Sequence, residues 1–238
     1  MTLYLIGLGL HDEKDITVKG LEAIKACKRV YFETYTSKLN TAQQNMEKFY
    51  GKKITAVPRS FMEEDAHKLL QEATKEDVAL LIIGAPLAAT THIDLFLEAK
   101  KQKIPVEVIE NASVLTAIGI TGLFLYKFGR TTTIPLNNEK ITSPYDNVVA
   151  NQKNKLHTLC LLDIQENRMM TAREGLDYLI KQGLKKDTLV VACGALGAPS
   201  PEIKVGKAKD ISLSRFPQCL IISADLHFKE EEALEFYK

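Results

Sequence analysis

Short apolar runs alternate with segments of helical periodicity along the first half of the chain. The runs are rich in β-branched and large apolar residues and lie at 3–6, 29–32, 54–57, 78–83 and 106–109. Between them, apolar residues recur at helical spacing, as in the series Val18, Leu21 and Ile24. Strand-like runs separated by helical patterns are typical of βα units, so this half predicts a largely parallel sheet with flanking helices.

The run at 78–83 differs from the others because it is apolar throughout and does not alternate with polar residues. Strands that are buried on both faces of a parallel sheet show this continuous pattern. We therefore predict that this run forms the central strand of the sheet.

The pattern changes after Gly129, where a short Thr-rich alternation at 131–134 leads into a polar stretch that ends near Asn154. We place a domain boundary at this change, which divides the chain into an N-terminal domain, 1–128, and a C-terminal domain, 129–238. Candidate strands of the second domain lie at 156–164, 188–193, 203–207 and 219–223. They have fewer helices between them than the strands of the first domain, which predicts a mixed sheet.

Composition and charge exclude several classes of protein. The chain of 238 residues carries 31 lysines and arginines against 30 aspartates and glutamates, a formal net charge of +1. This balance lacks the basic field that attracts nucleic acid, so we expect no nucleic-acid partner. No apolar stretch approaches the ~18 residues that a membrane helix needs, and the first residues lack the positive charge of a secretory signal. We therefore expect a cytoplasmic protein without a membrane partner.

Cysteine and histidine are too scattered to indicate a metal site. The four cysteines and five histidines include no Cys-x-x-Cys pair and no histidine pair at helical spacing. Each cysteine lies among apolar neighbours, which is typical of a buried free thiol. The sequence therefore predicts no bound metal.

Small residues follow three of the predicted strands in the first domain. The segments are Gly7-Leu8-Gly9-Leu10, Gly84-Ala85-Pro86-Leu87-Ala88 and Asn111-Ala112-Ser113-Val114. Open α/β sheets bind ligands in the crevice at the carboxyl ends of their strands, so three such loops favour a small-molecule site. The first loop is not a dinucleotide fingerprint, because Asp12 stands where the third glycine is required.

These loops belong to longer motifs, among them LYLIGLGL at 3–10 and DITVKGL at 15–21. The other motifs lie at 33–37, 84–92, 111–114, 119–123, 126–129 and 157–164. With these motifs the chain resembles the diphthine synthases, a family within the tetrapyrrole-methylase-like class of S-adenosylmethionine-dependent methyltransferases. The resemblance covers most of the chain and thins after about Pro199.

The resemblance implies a two-domain α/β fold of the tetrapyrrole methylase type, with a largely parallel sheet in the N-terminal domain and a mixed sheet in the C-terminal domain. It also implies a homodimer and the cofactor S-adenosyl-L-methionine, bound in a bent form in the cleft between the domains, with S-adenosyl-L-homocysteine as product. The family repeatedly methylates the 3-carboxy-3-aminopropyl group on a histidine of translation elongation factor 2, a step of diphthamide biosynthesis. Members with a chain this short resemble enzymes that stop at the trimethylammonium product, diphthine.

Matching the motifs by position assigns the residues of the cofactor site. In the first domain, the resemblance implies that the cofactor-binding residues are Leu10, Ala85, Ala88, Ser113 and Val114. In the second domain it implies Leu162, Leu196 and Gln218, of which Gln218 stands where the family often has histidine. The resemblance assigns no catalytic residue and no metal ligand.

The catalytic base and the function itself each have alternatives. Asp163, at the end of a predicted strand, is a candidate base for the proton of the attacking amine, and the alternative is that it caps the strand or pairs with a cation. Three functions stay open: the methyltransferase just described, a methylase of another small substrate, and a degenerate paralogue that binds elongation factor 2 without catalysis.

The second loop departs from the family, whose Gly-Asp-Pro motif reads Gly84-Ala85-Pro86 in this chain. Alanine keeps the backbone N–H and C=O groups but removes a carboxylate acceptor. Loss of a charge-assisted hydrogen bond costs roughly 1.5–3 kcal/mol, or about ten- to a hundredfold in affinity. We therefore predict that Ala85→Asp tightens S-adenosylhomocysteine binding by that factor in a calorimetric titration. Equal dissociation constants for the two proteins would contradict this prediction.

Overall fold

The computed structural model describes residues 1–165 and 168–238, and their contacts form two compact units. The first unit spans Met1–Val114 and the second spans Leu115–Lys238. The segment before residue 128 makes contacts inside the second unit, where the backbone N–H of Phe124 donates to Glu230 at 2.8 Å. The domain boundary between residues 128 and 129 stays a prediction.

The first unit is built on a parallel β-sheet. Its strands are β1 (Leu3–Gly7), β2 (Arg29–Glu33), β3 (Thr55–Val57), β4 (Val78–Ile82) and β5 (Val106–Ile109). They form a five-stranded sheet in the order β3-β2-β4-β1-β5, and every neighbouring pair is parallel. All residues of β4 are buried, because this central strand is covered on both faces. The parallel sheet and its central strand are therefore confirmed.

Helices cover both faces of this sheet. They are α1 (Val18–Ala26), α2 (Gln43–Tyr50), α3 (Ala66–Ala73) and α4 (Ile93–Lys101). On one face, Leu5 of β1 shares an apolar core with Leu69 of α3 and Leu95 of α4. On the other face, Ile6 of β1 shares a second core with Ile24 of α1. Because successive strand residues point to opposite faces, β1, β2, β4 and β5 each contribute to both cores.

The second unit carries a mixed sheet. Its strands are β6 (Thr132–Ile134), β7 (Thr158–Leu162), β8 (Ile164–Gln165), β9 (Arg168–Met169), β10 (Leu189–Gly194), β11 (Glu202–Lys207) and β12 (Gln218–Ile222). The main sheet has the order β11-β10-β12-β7-β6, with β6 and β7 parallel and the other pairs antiparallel. Strands β8 and β9 form a separate antiparallel pair. The mixed sheet is confirmed.

The remaining α-helices lie mostly in the second unit. They are α5 (Val114–Ala117), α6 (Ser143–Lys153), α7 (Ala172–Gln182) and α8 (Phe228–Leu234). Within the described residues, no helix has the length and apolar character needed to cross a membrane.

The predicted strand at 156–164 is shorter in the structure, because the chain leaves the main sheet at Asp163. The backbone N–H of Asp163 donates to the carbonyl of Ile134 at 3.1 Å. Its carboxylate accepts a hydrogen bond from the backbone N–H of Leu136 at 3.0 Å. Asp163 therefore caps the end of β7 and turns the chain toward the β8–β9 pair.

A buried carboxylate, Glu230, joins α8 to the segment that precedes β6. Glu230 is 0% exposed and accepts hydrogen bonds from the backbone N–H groups of Phe124 and His227, each at 2.8 Å. It also pairs with the ammonium of Lys127 and lies 3.1 Å from Nε2 of His157. Burial alone would raise the pKa of Glu230, but these hydrogen bonds outweigh it and lower the pKa to about 2.

We predict that Glu230→Gln lowers the free energy of unfolding by about 3 kcal/mol at pH 7, because it leaves Lys127 without its counter-charge. The folded pKa, about 2, lies below the ordinary value of about 4.3. The stabilisation is therefore present above about pH 4.3 and is lost as the pH falls toward 2. Urea unfolding should show a difference between wild type and variant that shrinks by about half from pH 7 to pH 3.

The control for this prediction is Glu231→Gln, which neutralises an exposed neighbour on the same helix. The control should change the free energy of unfolding by less than about 0.5 kcal/mol. Equal losses in the two variants would show that Glu230 has no special role.

Candidate functional site

The three small-residue loops leave neighbouring strands at one edge of the first sheet. Gly7 ends β1, Gly84 lies just beyond β4, and Asn111 lies just beyond β5. Strand β1 lies between β4 and β5, and parallel strands end at the same edge. The structure therefore brings these segments together in one place.

Two glycines join the first loop to the second. The N–H of Gly84 donates to the carbonyl of Gly9 at 2.8 Å, and the N–H of Gly9 donates to the carbonyl of Gly84 at 3.3 Å. Their φ angles are +78° for Gly9 and +80° for Gly84, a region that residues with a side chain rarely adopt. We call this pair the glycine bridge, and the path of the backbone requires glycine at both positions.

Gly7 is required for a different reason, which is close packing. A Cβ atom at this position would lie 2.6 Å from the carbonyl oxygen of Gly84 and 2.8 Å from Cβ of Asn111. Both distances are well inside van der Waals contact. A side chain at position 7 would therefore push the three loops apart.

Two polar side chains that were not predicted as site residues hold the loops in place. The carboxylate of Asp15 accepts hydrogen bonds from the backbone N–H groups of Leu10 at 3.0 Å and His11 at 2.7 Å. The amide of Asn111 donates to the carbonyls of Gly7 at 2.9 Å and Asp15 at 3.0 Å. The sequence signal for both was their place in a family motif. Asp15 binds N–H groups four and five residues away, whereas the partners of Asn111 are distant in sequence and only the fold brings them close.

The predicted cofactor residues of the first unit lie in the three loops at this sheet edge, and we call the region around Gly84 the crevice. A Cβ atom on Gly84 would have Cδ2 of Leu10 at 3.9 Å and the carbonyl oxygen of Ala112 at 3.8 Å as its nearest neighbours. Leu10 therefore borders the crevice, and Ala112 is followed by the predicted residues Ser113 and Val114. Ser113 is buried and Val114 is half-buried.

The other two predicted residues of this unit lie in the turn after Gly84. Ala85 is 5% exposed, and its carbonyl accepts a hydrogen bond from the N–H of Ala88 at 3.2 Å. The hydroxyl of Thr90 donates to the carbonyl of Pro86 at 2.8 Å and closes the turn. Residues 84–90 carry no charged side chain, so the turn presents backbone groups and small apolar surfaces.

The predicted residues of the second unit also meet at one sheet edge. Leu162 ends β7 and Gln218 begins β12, its antiparallel neighbour. Gly194, the last residue of β10, pairs with Gln218, and Leu196 lies in the loop that follows. The structure therefore places Leu162, Leu196 and Gln218 near one another.

Gln218 has an incomplete set of hydrogen bonds. Its side chain is buried, and its amide oxygen accepts from the backbone N–H of Ala172 at 2.7 Å. Within the part of the chain that the structure describes, its amide nitrogen has no hydrogen-bond partner. A buried amide nitrogen without a partner is costly, so this group is suited to an acceptor atom on a ligand.

The carboxylate of Asp163, the candidate base, already accepts hydrogen bonds from neighbouring groups of the protein. Besides the N–H of Leu136, the amide of Gln165 donates to the Asp163 carboxylate at 3.3 Å. These contacts favour the alternative in which Asp163 caps the strand end.

No described side chains form a metal centre, and the thiols are buried. Residues 1–165 and 168–238 contain no group of three or more histidine, cysteine, aspartate or glutamate side chains that could hold an ion. The four cysteines are buried free thiols, as predicted.

We predict that Gly7→Ala weakens S-adenosylhomocysteine binding at least tenfold and lowers the free energy of unfolding by about 1–3 kcal/mol. The new methyl group would displace the loops that border the crevice. Calorimetric titration and urea unfolding measure the two effects. The control is Gly119→Ala, whose Cβ would lie 3.6 Å from its nearest neighbour, an ordinary contact distance. Wild-type affinity in Gly7→Ala would contradict the need for this close approach.

Comparison with known proteins assigns the family. The tetrapyrrole (corrin/porphyrin) methylases match residues 2–212. A diphthine synthase of Methanocaldococcus jannaschii is 43% identical over 98% of this chain and 98% of its own length. A diphthine methyl ester synthase of Dictyostelium discoideum is 40% identical over 100% of this chain and 98% of its own.

Solved structures agree with the sequence relatives. A crystal structure of diphthine synthase has a TM-score of 0.94 at 35% identity, covering 100% of this chain and 96% of that chain. A putative diphthine synthase from Entamoeba histolytica has a TM-score of 0.91 at 38% identity, covering 100% and 98%. The chain therefore belongs to the tetrapyrrole methylase family of methyltransferases and, within it, to the diphthine synthases.

Proposed function

We propose that this chain transfers methyl groups from S-adenosylmethionine to the 3-carboxy-3-aminopropyl group on a histidine of translation elongation factor 2, in diphthamide biosynthesis. The observation that carries the proposal is similarity over the whole chain to proteins named diphthine synthase. The glycine-lined crevice adds a structural reason, because it lies at the sheet edge where α/β proteins bind small ligands.

We propose that the crevice around Gly84 takes the neutral adenosine part of this cofactor. Its borders are the side chain of Leu10 and the backbone of Ala112, and the adjoining turn carries no charge. Such a surface offers apolar contacts and single backbone hydrogen bonds rather than the cluster of N–H groups that binds phosphate. We propose that Leu10, Ala85, Ala88, Ser113 and Val114 bind the cofactor.

Leu162, Leu196 and Gln218 of the second unit complete the proposed set of cofactor residues. The support is the unpaired amide nitrogen of Gln218, a donor that can bind an acceptor atom of the cofactor. Leu162 and Leu196 are 6% and 8% exposed and offer apolar contact beside it.

The proposed methyl transfer depends on how the two reactants are positioned more than on a reactive side chain of the protein. The cofactor, when bound, supplies a methyl group on a sulfonium that an amine can attack. The chain contributes a prearranged surface, because Asp15 and Asn111 already hold the loops through hydrogen bonds of 2.7–3.0 Å. Such preorganisation lowers the entropic cost of aligning the reactants.

We propose diphthine, the trimethylammonium form, as the product. Relatives named diphthine synthase and relatives named diphthine methyl ester synthase both match the chain. Mass spectrometry of the modified peptide distinguishes the two products, because the ester carries one additional methyl group.

We also propose a cytoplasmic homodimer whose protein partner is elongation factor 2. Large apolar side chains on the second unit support an interface there, because Tyr126 is 80% and Phe236 84% exposed. Exposed apolar patches of this kind are typical of protein interaction surfaces.

One observation favours a second candidate, a paralogue that binds elongation factor 2 without catalysis. Ala85 stands in the crevice turn where the family motif has aspartate, so this turn lacks a carboxylate for contact with the cofactor. The two candidates differ in cofactor affinity, which a titration with S-adenosylhomocysteine measures directly.

The proposed function predicts that the purified protein binds S-adenosylhomocysteine with micromolar or tighter affinity. It also predicts transfer of labelled methyl groups to elongation factor 2 that carries the 3-carboxy-3-aminopropyl group. Elongation factor 2 with an unmodified histidine is the control and should accept no label. A folded protein that does not bind S-adenosylhomocysteine and does not transfer label would overturn the proposal. A protein that binds elongation factor 2 but does neither of these would favour the paralogue.

A further inference from the structure

A second concave site lies in the first unit, outside the glycine loops. It is a cavity of about 690 Å³ lined by residues of α3 and α4, and we call it the helix cavity. Its apolar lining includes the buried side chains of Leu70 and Leu95 and the exposed side chain of Leu97. The volume is within the range of small-molecule binding sites, so it can hold a long side chain together with part of its backbone.

Acidic side chains outnumber basic ones in the helix cavity. Glu63, Asp94 and Glu98 line it, and Lys101 is the one lysine or arginine among its described lining residues. Lys101 lies 3.5 Å from the carboxylate of Glu98, and Arg59, outside the lining, lies 3.8 Å from that of Glu63. Both contacts are long and both join exposed groups, so they are weak. Asp94 has no ion-pair partner in the described part of the chain, so the cavity can accept a further cation.

A buried side chain in the lining of the helix cavity lacks a partner. His92 lines the cavity and is 2% exposed, and its Nδ1 has no hydrogen-bond partner among the described residues. Burial lowers the pKa of His92 to about 4, so the ring is neutral at pH 7. An unpaired polar atom at this depth is costly, so Nδ1 is suited to a polar group of a ligand.

The features of the helix cavity match a lysine residue of a peptide. A lysine stem packs along apolar surface while its ammonium reaches a carboxylate, and the cavity offers Leu70 and Leu95 for the stem and Asp94 for the ammonium. The peptide group has both an N–H and a C=O, so it can pair with Nδ1 of His92 whichever ring nitrogen carries the hydrogen. A metal ion fits less well, because no three candidate ligand side chains of the described residues come together.

The helix cavity is joined to the crevice through the buried carboxylate of Glu33. Glu33 is 0% exposed and accepts hydrogen bonds from the backbone N–H groups of Tyr35 and Ile83, each at 3.2 Å. Tyr35 lines the cavity, and Ile83 directly precedes Gly84 of the glycine bridge. The segment that begins at Gly84 ends in the cavity at His92. A protein held in the cavity is therefore held beside the crevice.

We infer that the helix cavity is a docking site for elongation factor 2 and takes a lysine residue of that protein outside its methylated group. The inference rests on the proposed function and adds a contact to it, because binding of remote parts of a substrate helps to position the reacting part. Asp94 and Glu98 bind the lysine ammonium, and His92 binds its peptide group. The acceptor amine does not enter this cavity, so it stays free to lose its proton and attack the cofactor.

The first test measures docking without methyl-transfer chemistry. Wild-type protein is titrated calorimetrically with elongation factor 2 that lacks the 3-carboxy-3-aminopropyl group. The double variant Asp94→Asn, Glu98→Gln should bind it at least tenfold more weakly and keep the wild-type affinity for S-adenosylhomocysteine. Added salt should weaken binding by the wild type more than binding by the variant. No binding of this elongation factor 2 by the wild type would overturn the inference.

A matched control removes the same charge outside the cavity. Glu22 is exposed on α1, which covers the other face of the sheet, and Glu64 is exposed and does not line the cavity. The double variant Glu22→Gln, Glu64→Gln should keep the wild-type affinity for elongation factor 2. Equal losses in the two double variants would overturn the inference.

Methyl-transfer kinetics separate the inference from the proposed function. With elongation factor 2 that carries the 3-carboxy-3-aminopropyl group, Asp94→Asn, Glu98→Gln should raise KM at least tenfold and leave kcat unchanged. A wild-type KM in this variant would refute the docking site and leave the proposed function standing. Absence of methyl transfer by the wild type would count against the proposed function, while the binding measurements would still test the docking site.

A pair of small probes tests the choice of lysine. N-acetyl-lysine methylamide carries the stem, the ammonium and peptide groups, and N-acetyl-norleucine methylamide lacks only the ammonium. In NMR titrations, the lysine probe should shift the ring signals of His92 and bind at least severalfold more tightly than the norleucine probe. Equal binding of the two probes, or no shift of the His92 signals by the lysine probe, would overturn the assignment.

His92→Phe separates a binding role of this side chain from a structural one. The phenyl ring fills similar space and removes the unpaired nitrogen, so the melting temperature should stay the same or rise. The affinity for elongation factor 2 should fall severalfold, because the partner of the peptide group is lost. Full wild-type affinity in this variant would show that His92 takes no part in docking.

Discussion

The close approach of two backbones beyond the ends of β1 and β4 is the constraint on which the proposed cofactor site depends. Gly9 and Gly84 exchange hydrogen bonds of 2.8 and 3.3 Å, and Gly7 leaves no room for a Cβ beneath them. This contact joins the first loop to the second at the sheet edge, next to Leu10 and Ala112. A side chain at these positions would clash or force an unfavourable backbone conformation, so the shape of the site follows from the absence of side chains.

Buried and half-buried polar side chains supply hydrogen bonds to the backbone where the strands have ended. Loops at a sheet edge have backbone groups without strand partners, and unpaired buried groups are costly. Asp15, Asn111 and Glu33 bind such groups in the first unit, and Glu230 does so in the second. Against this background, the unpaired amide nitrogen of Gln218 is an exception among the described residues, which is why Gln218 enters the proposed cofactor set.

The strands were more predictable than the polar contacts. All five strands of the first sheet lie within or overlap the predicted runs, and the run at 78–83 contains the central strand. Apolar periodicity reports burial directly, so it identifies such elements well. The strand predicted at 156–164 was too long, because a single polar residue, Asp163, ends β7 through contacts with a distant segment. Helix α2 was not predicted, because its sequence is mostly polar.

By itself, the sequence determined the strand and helix pattern, the position of the glycine loops and the family to which the chain belongs. These features depend on local periodicity, on glycine's lack of a side chain and on motifs of neighbouring residues. Only the tertiary structure decided that Asn111 donates to the carbonyl of Gly7, that Glu33 binds Ile83, and that Gln218 is buried with an unpaired nitrogen. The physical reason is that hydrogen-bond partners and burial are set by groups far apart in sequence, which meet only when the strands stand side by side.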